Sequence, residues 1–159
     1  MASAGAGPFC SRLVHSAAMQ TMSPERRRAF LEEGTRTAKL ATMAADGRPH
    51  VTPIWFVLDG EDLIFTTGST SVKGRALRRD RRVCLCVDDQ RPPFAFVMID
   101  GTAEVSEDPA ELLRWATRIG GRYMGADRAE QFGARNGGPG ELLVRVTPTR
   151  IIAADGVAD

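Results

Sequence analysis

Through the middle of the chain apolar residues recur at every second position, and only a few segments repeat at three to four. Residues 37–43 alternate small, polar and apolar side chains, the period of a half-buried strand. Asp46-Gly47 supplies a turn, and residues 50–58 form a β-rich run containing Trp55 and Phe56. Asp59-Gly60 is a second turn, so residues 63–67 return as the next strand. Pro53 cannot donate to a ladder and predicts an edge or a bulge in the run that holds it. The same pattern predicts strands over 83–87, 94–99, 102–105, 142–146 and 150–153, with Asp100-Gly101 read as a turn.

Helical signals interrupt this text three times. Ser23-Pro24 joins an N-cap to proline at the first helical position, and Gly34 is placed to end that helix. A hydroxyl-rich loop, Ser69-Thr70-Ser71, precedes a helix whose first turn carries Lys73. Asp108-Pro109-Ala110-Glu111 opens a third, in which Leu112, Ala116, Ile119 and Tyr123 share a face that reads as core packing. Residues 133–140 read as a flexible, glycine-rich loop. Six or seven turn-linked strands with three inserted helices and no βαβ rhythm predict an antiparallel barrel, mainly β, and not a doubly wound sheet.

The chain has 159 residues, enough for one core and not two. Residues 23–159 read as that domain. Residues 1–22, rich in small side chains and free of acids, read as a disordered leader, with a processed segment or a start at Met19 or Met22 as alternatives. A formal charge of +1 creates no field over the whole molecule, so neither nucleic acid nor a membrane surface is an expected partner. No apolar run approaches the roughly 18 residues of a membrane span. Cys84 and Cys86 alternate along an apolar run as buried thiols would, which fits a reducing, cytoplasmic compartment. Two histidines and no second ligand cluster give little support for a metal site.

Candidate chemistry concentrates at the Lys73 helix. A helix N-terminus presents unpaired N–H groups and about half a positive charge, so a lysine in its first turn costs energy unless an anion lies between. Thr66, Thr67, Ser71 and Lys73 are parts from which a phosphate site is assembled, and a serine-capped surface helix with solvated cations is the plainer alternative. Nucleotide-binding glycine loops and nucleophile elbows are absent. His15 falls in the leader, leaving His50 as a lone histidine on a strand, more often structural than a base. Any hard chemistry then belongs to a cofactor.

Together, LATMAADGRPHVTPIWFVLDGEDLIFTT and SVKGRALRRDRRVCLCVDD resemble the split-barrel flavin and deazaflavin oxidoreductases related to pyridoxamine 5′-phosphate oxidase. The resemblance spans residues 37–150. Gly121-Arg122-Tyr123-Met124-Gly125 and LLVRVTPTRI are similar to the actinobacterial branch that uses coenzyme F420. It implies an antiparallel split β-barrel in which Pro53, Ile54 and Trp55 lie against a tricyclic ring, largely through backbone atoms. Thr66, Thr67, Ser71 and Lys73 would surround the phosphate, and Arg75, with Arg78 and Arg79, would meet the acidic tail of the deazaflavin. Ala76 stands where such families often carry asparagine. The implied function is hydride transfer between F420 and an electron-poor small-molecule acceptor, in a homodimer with the cofactor at the interface. FMN on the same fold, or a non-catalytic cofactor- or haem-binding barrel, are the alternatives. Residues 88–96 and 133–140 are the expected specificity loops.

Overall fold

The computed structural model describes residues 20–158. Eight strands and four α-helices follow the order β1 (Gln20–Thr21), α1 (Pro24–Glu32), β2 (Ala38–Met43), β3 (Pro49–Ile54), β4 (Val57–Asp59), β5 (Asp62–Gly68), α2 (Val72–Arg79), β6 (Arg82–Asp89), β7 (Ala95–Ser106), α3 (Pro109–Met124), α4 (Ala129–Asn136) and β8 (Glu141–Asp155). A 3₁₀ turn over Ala126–Arg128 joins α3 to α4. All pairings are antiparallel and run β3-β2-β6-β7-β8-β5-β4, with β1 added to β8. β3 and β4 are the opposite edges of this path, yet only Trp55 and Phe56 separate them in the chain. The two edges therefore approach each other without pairing, and the sheet is a barrel split along that seam.

The barrel interior is filled by alternate strand residues, among them Leu40, Leu63, Phe65, Leu85, Val97 and Val144, with Phe30 and Leu31 of α1 and Leu77 of α2 packed on them. A second cluster lies outside the barrel, where Leu112, Trp115 and Ile119 of α3 cover Ile64 and Leu143. That cluster bears out the core-packing role of the Leu112 stripe. Each of the three expected helix starts is capped as its sequence requires: Ser23 Oγ accepts from Arg26 N–H at 3.2 Å, Ser71 Oγ from Gly74 N–H at 3.0 Å, and Asp108 Oδ1 from Glu111 N–H at 2.8 Å.

Five expectations are corrected. Residues 50–58 are not one strand, because the chain leaves one sheet edge after Ile54 and joins the other at Val57. Asp100-Gly101 is a bulge within the continuous strand β7, where a register shift brings Gly101 so close to β8 that a Cβ would stand 2.5 Å from Val146 Cγ1. The expected strands 142–146 and 150–153 are one strand, β8. Residues 133–136 belong to the helix α4, and Gly133 is buried against Thr117 of α3. Finally, ordered structure begins ahead of Ser23: Gln20 and Thr21 pair with β8, and Met22 is part of the core. The remainder of the expected leader lies outside the described residues.

Candidate active site

A cleft of about 270 Å³ opens beside the split, lined by Pro53, Ile54, Trp55, Thr66, Lys73, Ile119, Asn136 and Glu141. It gathers five of the residues singled out in the sequence: the Pro53–Trp55 segment at the end of β3, Thr66 on β5 and Lys73 in the first turn of α2. Thr67, next along β5, points into the barrel, is 5% exposed and shares a 3.2 Å hydrogen bond with Ser71. Ser71 Oγ also caps α2. These two hydroxyls hold the loop, while Thr66 and Lys73 face the cleft. Gly74 seats the helix closely on that loop, since a Cβ there would collide with the Gly68 carbonyl.

Lys73 has no carboxylate within 4 Å among the described residues. The neighbouring arginines are engaged elsewhere. Arg75 donates to the Thr70 carbonyl, Arg78 pairs with Glu107, and Arg79 donates to the carbonyls of Arg75 and Met43. None of the three lines the cleft. Ala76 is buried against the barrel.

Glu141 and Asn136 were missed by the sequence reading, while Ile119, read as core packing, is buried as expected and also reaches the cleft wall. Glu141 enters because it pairs with Gly68 at the end of β5, which sets it beside the α2 start. Partial burial pushes its carboxyl above the ordinary range, and the Lys73 ammonium opposes that shift. Asn136 closes α4, a helix the glycine content had concealed.

The irregular segment between β3 and β4 is held from α3. Phe56 N–H donates to Tyr123 Oη at 3.3 Å, and the Phe56 carbonyl accepts from Arg122 Nη1 at 2.8 Å. Arg122 also donates to the carbonyls of Leu31 at 2.6 Å and Gly34 at 3.1 Å, and Tyr123 donates to that of Arg36 at 2.7 Å. The Trp55 ring stacks on Tyr123 at 4.9 Å and 3°. Burial lowers the pKa of Arg122 and raises that of Tyr123.

A depression of about 460 Å³ lies between Glu33 and Arg91, and two more are larger still. One, of about 540 Å³, includes most of the expected specificity segment 88–96, but its arginines Arg26, Arg36 and Arg91 are all paired with Asp155, Glu33 and Asp89. The other, of about 620 Å³, lies by Cys84 and Asp100. There burial, reinforced by Asp100, pushes the Cys84 thiol up to about 11, which favours its protonated form. Among the described residues no three side chains form a metal site, and no helix is long and apolar enough to cross a membrane. His50 is not part of the Lys73 cleft.

A family profile described as Pyridoxamine 5′-phosphate oxidase matches residues 23–154. Solved structures agree. A conserved hypothetical protein of Mycobacterium tuberculosis is 29% identical, with 85% of this chain and 86% of that one aligned at a TM-score of 0.76. A structure named F420 reductase is 27% identical over 77% of this chain and 94% of its own, with a TM-score of 0.61. The heme storage protein HutZ of Vibrio cholerae, 19% identical over 88% of this chain and 100% of its own at a TM-score of 0.68, shares the fold. No curated protein is similar enough to match.

Proposed function

The chain belongs to the pyridoxamine 5′-phosphate oxidase family, and on that premise we propose that it is an F420-dependent oxidoreductase acting on an electron-poor small molecule. The observation that carries this reading is the cleft itself, where an unpaired Lys73 and the Thr66 hydroxyl stand opposite the irregular Pro53–Trp55 backbone. An ammonium and a hydroxyl suit a phosphate, and exposed main-chain groups beside an apolar wall suit the edge of a flat ring. When bound, the deazaflavin supplies hydride chemistry at its ring. The residues present bind, orient and exclude water, which fits a cleft without a nucleophile or an imidazole. Similarity to a structure named F420 reductase supports the deazaflavin over FMN, the alternative on the same fold.

The same reading includes a homodimer. A cleft of about 270 Å³ falls just below the range of ligand sites, which run from about 300 Å³ upward. Pro53 at its rim stands in register with Lys39, Cys86, Met98 and Ile152 across four strands, a row outside the cluster that α3 forms on the barrel. A second copy seated there would add the missing wall.

The test is a pair of fluorescence titrations of the purified protein, one with F420 and one with FMN. Tighter binding of F420 is expected. Tight binding of FMN with none of F420 would reverse the assignment, and failure of both would remove it.

A further inference from the structure

We infer that Arg122 and Tyr123 are positioning residues that fix the Trp55 wall of the cleft by holding the backbone of buried Phe56 beside it; the inference rests on the proposed cofactor site only for its effect on binding. In a strand the N–H and C=O of a residue are taken up by the neighbouring ladder. At Phe56 both are instead held by side chains, the N–H by Tyr123 and the carbonyl by Arg122. Consecutive residues of one helix thus replace two ladder bonds at the point where the chain crosses from β3 to β4.

Arg122 is a half-buried guanidinium whose hydrogen-bond partners are three backbone carbonyls, and no carboxylate lies within 4 Å of it among the described residues. A cation drawn out of water in this way is costly unless its donors are all well used, and here they tie α1 and the β3–β4 crossing to α3. Tyr123 stacks on Trp55 and bridges Phe56 N–H to the Arg36 carbonyl through one hydroxyl. Arg122 acts one residue away from Trp55, which faces the cleft, and Tyr123 acts both there and on the Trp55 ring itself. Misplacing that wall by a fraction of an ångström affects a ring lying on it more than it affects the barrel.

The variants are Tyr123→Phe, which keeps the stack and removes the bridging hydroxyl, and Arg122→Lys, which keeps the charge and removes the fork. Ile99→Val, a core change away from the cleft, serves as the control for stability. In ligand-free protein, amide exchange at Phe56 should quicken by about fivefold or more in Tyr123→Phe, the equivalent of roughly one neutral hydrogen bond, while β6 and β7 exchange as before. Whichever of F420 and FMN binds the wild type should bind both variants about tenfold more weakly, and should bind Ile99→Val unchanged. Unchanged exchange at Phe56 overturns the inference whether or not a cofactor binds. Quickened exchange with undiminished affinity shows a purely structural clamp and also overturns the positioning role. If the wild type binds neither cofactor while Phe56 is released in the variants, the proposed function falls and the clamp on the wall stands.

Discussion

Lys73 and Glu141 share the cleft, and their opposite charges make opposite predictions. If the ammonium balances a phosphate, Lys73→Ala removes a charge-assisted contact of about 1.5–3 kcal/mol, roughly ten- to a hundredfold in affinity. Ligand-free stability should hold or rise slightly, because the lysine opposes the α2 dipole in the empty protein. Arg82→Ala, whose guanidinium is 88% exposed and paired with Asp80, should leave affinity unchanged. A binding titration and a melting curve on both variants check this. For Glu141 the pKa is raised in the fold, so the protonated form is favoured there, and stability is lost as pH climbs from the ordinary carboxylate range through the raised value. Glu141→Gln should therefore melt higher than wild type at neutral pH and equally at acid pH. It should also bind a phosphate-bearing cofactor more tightly only above that window, since the carboxylate then no longer opposes the anion. Lys73 was legible in the sequence because it conflicts with its own helix. Glu141 was not, because its place depends on a strand pairing between residues 68 and 141.

Among the elements, those fixed by local chemistry were the legible ones. Ser23 and Asp108 cap the helices they were expected to cap, Ser71, expected at the phosphate, serves as the cap of α2 that the plainer alternative allowed, and the alternation of residues 37–43 gives β2 with nearly its observed bounds. Errors arose where a distant partner overrides a local signal. Asp100-Gly101 has the composition of a hairpin turn, but β8 runs along the whole of β7 and needs glycine for its close approach, so the dipeptide becomes a bulge. In the run 50–58 the edge expected from Pro53 is observed, β3 being an edge strand, but the crossing falls at Trp55 and Phe56, where Arg122 and Tyr123 take up the backbone groups of Phe56. Gly133 lowers helix propensity, yet it lies inside α4 because only glycine lets that helix reach α3. A Cβ at Gly133 would overlap Thr117, and one at Gly120 would lie 2.7 Å from Phe132 Cβ. Gly133→Ala should accordingly cost about 1–3 kcal/mol, the range for overpacking, despite the gain in helix propensity. Thermal unfolding measures it. A neutral or stabilising result would mean that α3 and α4 separate freely.

At the scale of the whole molecule the barrel is covered on one side only. α3 lies over β5 and β8, α1 and α2 contribute to the interior, and the outer face of β2, β6 and β7 presents Ala41, Cys84, Cys86 and Met98 half-buried, with Met43 at 44% and Val51 at 59% exposure beside them. This largely apolar face, crossed by the Lys39–Asp88 ion pair and by Asp100, is the surface on which the proposed dimer would form, and the register places Pro53 of the cleft at its end. An isologous dimer burying this face would join assembly to binding, because the same contact that covers Met98 would complete the cleft. Sedimentation velocity at micromolar concentration should give a dimer for the wild type. Met98→Glu places a charge in the middle of the row and should yield a folded monomer whose affinity for F420 and FMN drops together with its dimerisation. A wild-type monomer that binds cofactor normally, or a Met98→Glu monomer that binds like the dimer, would separate the two properties and leave the cleft complete within one chain.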